Sequence, residues 1–142
     1  MKTFIEYMTE GADDNIMMGI NVKSDVKFGK RYADLMVDGN KKYETRDSNS
    51  LKPYIGRRMA VIRTGEGTAK AIGHWTVGEP IVVDNEKEFR AREHEHLVPN
   101  GSTFDIKKGQ KKYLYPVIDP QRWEEEKDVA RHGIIARKLI EK

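Results

Sequence analysis

Gly39-Asn40-Lys41-Lys42-Tyr43-Glu44-Thr45-Arg46-Asp47 lies where a helical pattern gives way to a strand pattern. Upstream, Phe28, Tyr32, Leu35 and Met36 fall at i, i+4, i+7 and i+8, one face of a 3.6-residue period, which predicts a helix over 28–38. Gly39 follows where a helix ends best on a residue free to adopt the left-handed conformation. Beyond it the period becomes two, so Lys42, Glu44 and Arg46 share one face of a strand and Lys41, Tyr43 and Thr45 the other. Two cations flanking a carboxylate at a helix–strand corner make a polar candidate site.

Downstream, Gly56 precedes the apolar run Met59-Ala60-Val61-Ile62, and Ile72-Gly73 falls in the next strand. With Tyr32-Ala33-Asp34-Leu35 on the helix and G-x-K-x-x-E-x-R supplied by Gly39, Lys41, Glu44 and Arg46, residues 20–118 resemble the ASCH family of the PUA-like superfamily. The resemblance implies an α+β fold, a small curved mixed or antiparallel β-barrel of five or six strands with flanking helices. It also implies a cleft for RNA or a modified nucleoside or nucleotide at Lys41, Glu44 and Arg46; Lys52 and Arg57, cations of the same basic segment, are expected as further contacts.

The chemistry of these side chains supports two uses of the corner. For binding, Arg46 offers a planar fork to a phosphate or base edge, Lys41 a point charge, and Glu44 an acceptor for an exocyclic amine. For catalysis, a lysine of lowered pKa can act as general base. One branch of the resembling family looks like amidohydrolases of N4-acylated cytidine, working with the motif Lys, a Thr three residues later and a distant Glu. Here Lys41 matches the Lys, but Glu44 stands at the Thr position, and Thr45 is expected on the opposite strand face. Glu79, Glu86 and Glu88 are the candidates for the distant carboxylate. An adjacent Glu44 is expected to keep Lys41 charged, which argues for binding over hydrolysis.

The chain of 142 residues is sized for one domain that removes roughly two-thirds of its unfolded surface from water. It has no cysteine, which excludes disulfides and thiolate metal sites. No apolar run approaches a membrane span or marks a signal peptide, so the expected setting is the cytoplasm, of a host cell if the gene is a phage's. The net charge of +3 is unevenly spread: residues 21–70 carry twelve Lys and Arg against six Asp and Glu. That basic segment holds the candidate site and attracts anionic ligands.

Residues 1–15 read as a leader or tail. Met1-Lys2-Thr3-Phe4, with Met8-Thr9-Glu10 as a cleavage-like site, resembles the capsid-targeting leaders of internal head proteins of large tailed bacteriophages. That implies a virion-packaged accessory protein acting on a host partner. Strands are predicted at 17–22, 58–63, 70–77 and 112–118, the third alternating Ala71, Gly73, Trp75 and Val77 on one face with Ile72, His74 and Thr76 on the other, and Pro116 in the last implying an edge. Asn85 to Glu88 is a capping-box pattern opening a helix. Asp119-Pro120 reads as an N-cap and first helical residue, predicting a C-terminal helix over 119–142 that docks Trp123, Ala130, Ile134 and Ile135.

Other constellations weigh less. His94 and His96 are two apart and point to different sides of a helix, so they lack the spacing of a metal pair. No metal or other cofactor is implied. No Ser/His/Asp or Cys/His nucleophile can be assembled. Trp75, Tyr43 and Tyr54 are candidate base-stacking platforms, with Trp75 better placed as core and His74 as structural.

Overall fold

A computed structural model describes residues 16–129 and 136–140. The leader expected at 1–15 lies outside them. The order is β1 (Ile16–Lys23), α1 (Tyr32–Val37), β2 (Tyr43–Arg46), β3 (Arg58–Thr64), β4 (Lys70–Val77), β5 (Ile81–Val83), α2 (Glu86–Ala91), α3 (Glu93–His96), β6 (Lys112–Asp128) and β7 (Ala136–Ile140). The strands form one mixed seven-stranded sheet in the order β2-β6-β4-β3-β1-β7, with β5 also on β6. β1 runs parallel to β3; every other pairing is antiparallel.

The sheet curls into a half-barrel because β6 serves two regions. Its first residues pair with β2 and β5, and its later ones, across bulges, with β4. Bulges add local twist and bend a strand. The helix α1 packs inside the curl through Tyr32, Ala33, Met36 and Val37, all buried with Ile20, Met59, Val61, Ile72, Trp75 and Leu114. Gly73 makes this close packing possible: a Cβ there would lie 2.2 Å from Gln121 O and 2.7 Å from Val37 Cγ1. No helix among the described residues is long and apolar enough to cross a membrane.

Three expectations change. The helix predicted over 28–38 is confined to Tyr32–Val37, because Asp25 and Lys30 bridge across a tight turn closed by Gly29 at φ +65°. The predicted C-terminal helix is strand as far as it is described, β6 running unbroken across 118 and 119. Gln121 and Arg122 pair with His74 and Gly73 of β4, and β7 pairs with β1. An open sheet edge that satisfies a whole row of backbone groups outweighs the helical start signal at Asp119-Pro120. Strict alternation along β4 also fails. Val61 pairs with Gly73 and Ile62 with Ala71, so Ile72 bulges out of register, joining the main core while Ala71 packs with Trp123 in a second cluster.

Pro116 is not on an edge, since β2 lies beside it. Its carbonyl accepts from Gly78 N–H at 3.0 Å, so its nitrogen faces the same side. There β4 has ended and β5 has not begun, so the missing N–H costs the ladder no bond.

Candidate functional site

The corner at Gly39 positions everything that follows. Gly39 adopts φ +81°. Its N–H donates to Met36 O at 3.1 Å and that of Asn40 to Leu35 O at 2.9 Å, the two bonds of a Schellman closure. Lys41 N–H also donates to Leu35 O, so the chain turns inward before β2 begins at Tyr43. Lys41 is therefore outside the strand and free of its alternation. Its side chain is 1% exposed. The ammonium donates to His96 O and lies 4.5 Å from the centre of the Tyr32 ring. The next residue clamps the same corner, Lys42 N–H donating to Glu95 O at 2.7 Å.

Lys41 lines a cleft of about 580 Å³ together with Tyr32, Glu44, Thr45, Arg46, Phe104 and Lys112, among others. Glu44 is buried and pairs through Oε2 with Arg46 Nη2 at 2.9 Å, and the same nitrogen donates to Asn21 O at 2.7 Å. Arg46 Nε is buried without a hydrogen-bond partner among the described residues. Lys112, 2% exposed, reaches Asp47 Oδ1 at 2.5 Å. Tyr32 and Phe104 meet edge to face, their centroids 5.8 Å apart, as an aromatic wall.

Burial dominates the electrostatics of Lys41. Desolvation lowers its pKa to about 8, opposed by Glu44 and reinforced by Arg46 and Lys112. Glu44 acts in the expected direction, favouring the charged form, but burial outweighs it. Burial likewise pushes the Tyr32 phenol well up and lowers His96 to about 4. The neutral His96 ring is fully committed: Nδ1 accepts from Val98 N–H at 2.9 Å, so Nε2 carries the proton and donates to Phe89 O at 2.7 Å. His94 is not buried. Among the described residues no group of three His, Asp or Glu is placed to hold a metal ion.

The structure thus gathers Lys41, Glu44 and Arg46 into one cleft. It leaves Lys52 and Arg57 outside. Both are exposed on the link between β2 and β3, where Pro53 opens a single 3₁₀ turn and Gly56 N–H pins the chain to Val77 O at 2.7 Å. None of Glu79, Glu86 and Glu88 lines the cleft, whereas Thr45 does. The candidate stacking residues do not line it either: Trp75 is core, and Tyr43 and Tyr54 pack against the core. His74 is structural, accepting the Trp123 indole N–H at 3.0 Å. Lys112 and Phe104 are site residues that sequence reasoning misses. The alternation of Tyr113, Tyr115 and Val117 puts Lys112 on the opposite face of β6 and is a usable signal; Phe104, in an aperiodic loop, has none.

No protein-family model and no curated protein matches the chain. Solved structures do. The crystal structure of ASCH from Zymomonas mobilis superposes with a TM-score of 0.58 at 17% identity, over 74% of this chain and 68% of that one. Two single-substitution mutants of that protein match alike, with TM-scores of 0.58 and 0.57 at 17% identity, over 74% of this chain and 69% and 70% of theirs. At that identity the likeness shows the fold, the ASCH-type curled sheet with flanking helices.

Proposed function

We propose that the cleft binds a nucleoside unit, free or within RNA, by its base edge. The observation that carries this reading is unspent hydrogen-bonding capacity on a buried floor. Arg46 Nε is an unpartnered donor, Glu44 keeps Oε1 beyond its bond to Arg46, and Lys41 has three donors with one given to His96 O. A donor–acceptor–donor floor fits the edge of a nucleobase, with Glu44 accepting from an exocyclic amine and Arg46 giving to a ring acceptor. Tyr32 and Phe104 supply the apolar wall, and the cleft volume is that of a small-ligand site. The ASCH-type fold agrees with an RNA- or nucleotide-binding domain.

Thermal-shift titration with nucleosides, nucleoside monophosphates, tRNA and short single-stranded RNA tests the reading. Cytidine or adenosine derivatives, which present an amine to Glu44, should stabilise the protein; no shift with any member of the panel contradicts it.

Hydrolysis of N4-acetylcytidine is the second reading, favoured by one observation: an amine whose pKa burial lowers to about 8, in a cleft that Thr45 also lines. It lacks a carboxylate free of a cation partner, since the two acidic residues lining the cleft, Glu44 and Asp47, are paired with Arg46 and Lys112. Wild-type protein should therefore bind N4-acetylcytidine without releasing cytidine in a chromatographic assay. Turnover that Lys41→Met abolishes would make the protein an enzyme.

A further inference from the structure

The charges of the cleft floor and of its rim differ. On the floor, Arg46 is paired with the buried Glu44, and Lys112 with the exposed Asp47 at the cleft edge, leaving Lys41 as the surplus cation. In the turns at 25–30 and 101–111 the carboxylates turn inward. Asp25 Oδ2 accepts from Ser102 Oγ at 2.5 Å and Asp25 Oδ1 from Phe28 N–H at 3.4 Å. Asp105 is bonded by Arg90 and by the N–H groups of Gly101 and Ile106. The lysines of the same two turns face out: Lys27, Lys107, Lys108 and Lys111 are exposed, and so is Lys23 at the cleft mouth. None of these five has a carboxylate within ion-pair distance among the described residues. The Asp25–Ser102 bond joins the 25–30 turn to the loop that carries Phe104 and runs into the 107–110 turn. Phe104 and Lys112, at the two ends of that second turn, both line the cleft.

We infer that these two lysine-bearing turns are a backbone track for a single-stranded polynucleotide, one of whose bases enters the cleft while its neighbouring phosphates stay at the rim. This rests on the nucleoside reading and adds the polymer to it. A floor with nearly balanced charge takes a neutral base in preference to a phosphate, whose desolvation only a surplus of cations would offset. The exposed lysines meet phosphates as point charges and release counterions, which gives length- and salt-dependent affinity.

The test compares a nucleoside monophosphate with a single-stranded RNA 12-mer of the same base, for the wild type, the combined Lys107→Gln, Lys108→Gln and Lys111→Gln variant, and a Lys23→Gln and Lys27→Gln variant. The wild type should bind the 12-mer at least tenfold more tightly than the monomer. In each variant that ratio should fall, and the log–log salt slope should become shallower by about 0.7 for each phosphate that the variant no longer neutralises. All substituted positions are exposed, and melting curves report that the variants fold. Equal affinity for monomer and 12-mer overturns the track while leaving the cleft reading intact. Binding of neither sinks the cleft reading itself. Competition by polyglutamate as strong as by RNA overturns the nucleic-acid assignment in favour of an acidic protein partner.

Discussion

Two polar clusters flank α1, and they are built on opposite principles. On the outer side, Arg63 gives Nε and Nη2 to the two oxygens of Asp34 at 2.8 Å each, and Nη1 and Nη2 to Glu126 at 3.1 and 2.9 Å. Arg122 forks onto Asp38 at 2.7 and 3.0 Å and reaches Asp34 at 3.1 Å. Three carboxylates serve two guanidinium groups, every nitrogen of which has a carboxylate oxygen within 3.8 Å, and Asp34 and Glu126 are held below the usual carboxylate range by those hydrogen bonds. On the inner side Arg46 keeps an orphan Nε and Lys41 sits desolvated against an aromatic ring. A saturated network fastens α1 to β3 and β6; an unsaturated one, equally well positioned, is left with valence for a ligand.

The largest effect is expected from Asp34→Ala. It strips the central acceptor from two arginines, one of them 7% exposed, and should lower unfolding free energy by about 3 kcal/mol, the lower end for breaking a buried pair. Urea denaturation measures this, and the ligand response of the folded variant should survive. The inner cluster should behave the other way. Lys41→Met replaces a buried charge by an apolar chain of similar length, so stability should hold or rise, while affinity falls at least tenfold, about 1.4 kcal/mol. If Lys41→Met unfolds the protein and Asp34→Ala abolishes binding, the division between scaffold and site collapses.

A smaller effect sharpens the comparison through pH. The pKa of Lys41 is lowered from 10.5 to about 8 in the folded state. Between those values the unfolded chain holds the proton and the folded one does not, so stability rises with pH across that window. Below pH 8 both states are protonated and the cost of burying the charge is constant. Subtracting the Lys41→Met profile from that of the wild type should isolate a rise from pH 8 to 10.5 with a slope of at most one proton. A flat difference would mean that the ammonium is not desolvated as its burial indicates.

The parts of this picture that depend on backbone chemistry are legible in the sequence. Gly39 reads as a helix terminator because its left-handed conformation disfavours a side chain, and the capping box because Glu88 N–H needs the Asn85 oxygen, 2.8 Å away. Trp75 reads as core from its strand context. The site is legible as a composition but not as a geometry. Alternation sets Lys41 and Thr45 against Glu44 and Arg46, whereas the Schellman turn delivers Lys41 from outside the strand and the cleft takes Glu44 through Asp47 in succession. Lys112 comes from a strand more than sixty residues away, a pairing that local periodicity does not contain. The C-terminal strand is hidden for a related reason: the helix signals at Asp119-Pro120 are local and carry no information about the open edge of β4 that captures the segment.

The central claim, that the unsaturated cluster is the binding site and the saturated one is scaffold, is tested most directly by fluorescence anisotropy. A labelled single-stranded RNA 12-mer is titrated at fixed low salt against wild type, Lys41→Met and Asp34→Ala, each below its melting temperature. Wild type should bind saturably, Lys41→Met should lose at least tenfold in affinity, and Asp34→Ala should keep the wild-type affinity. Equal losses in the two variants, or no binding by the wild type, would contradict it.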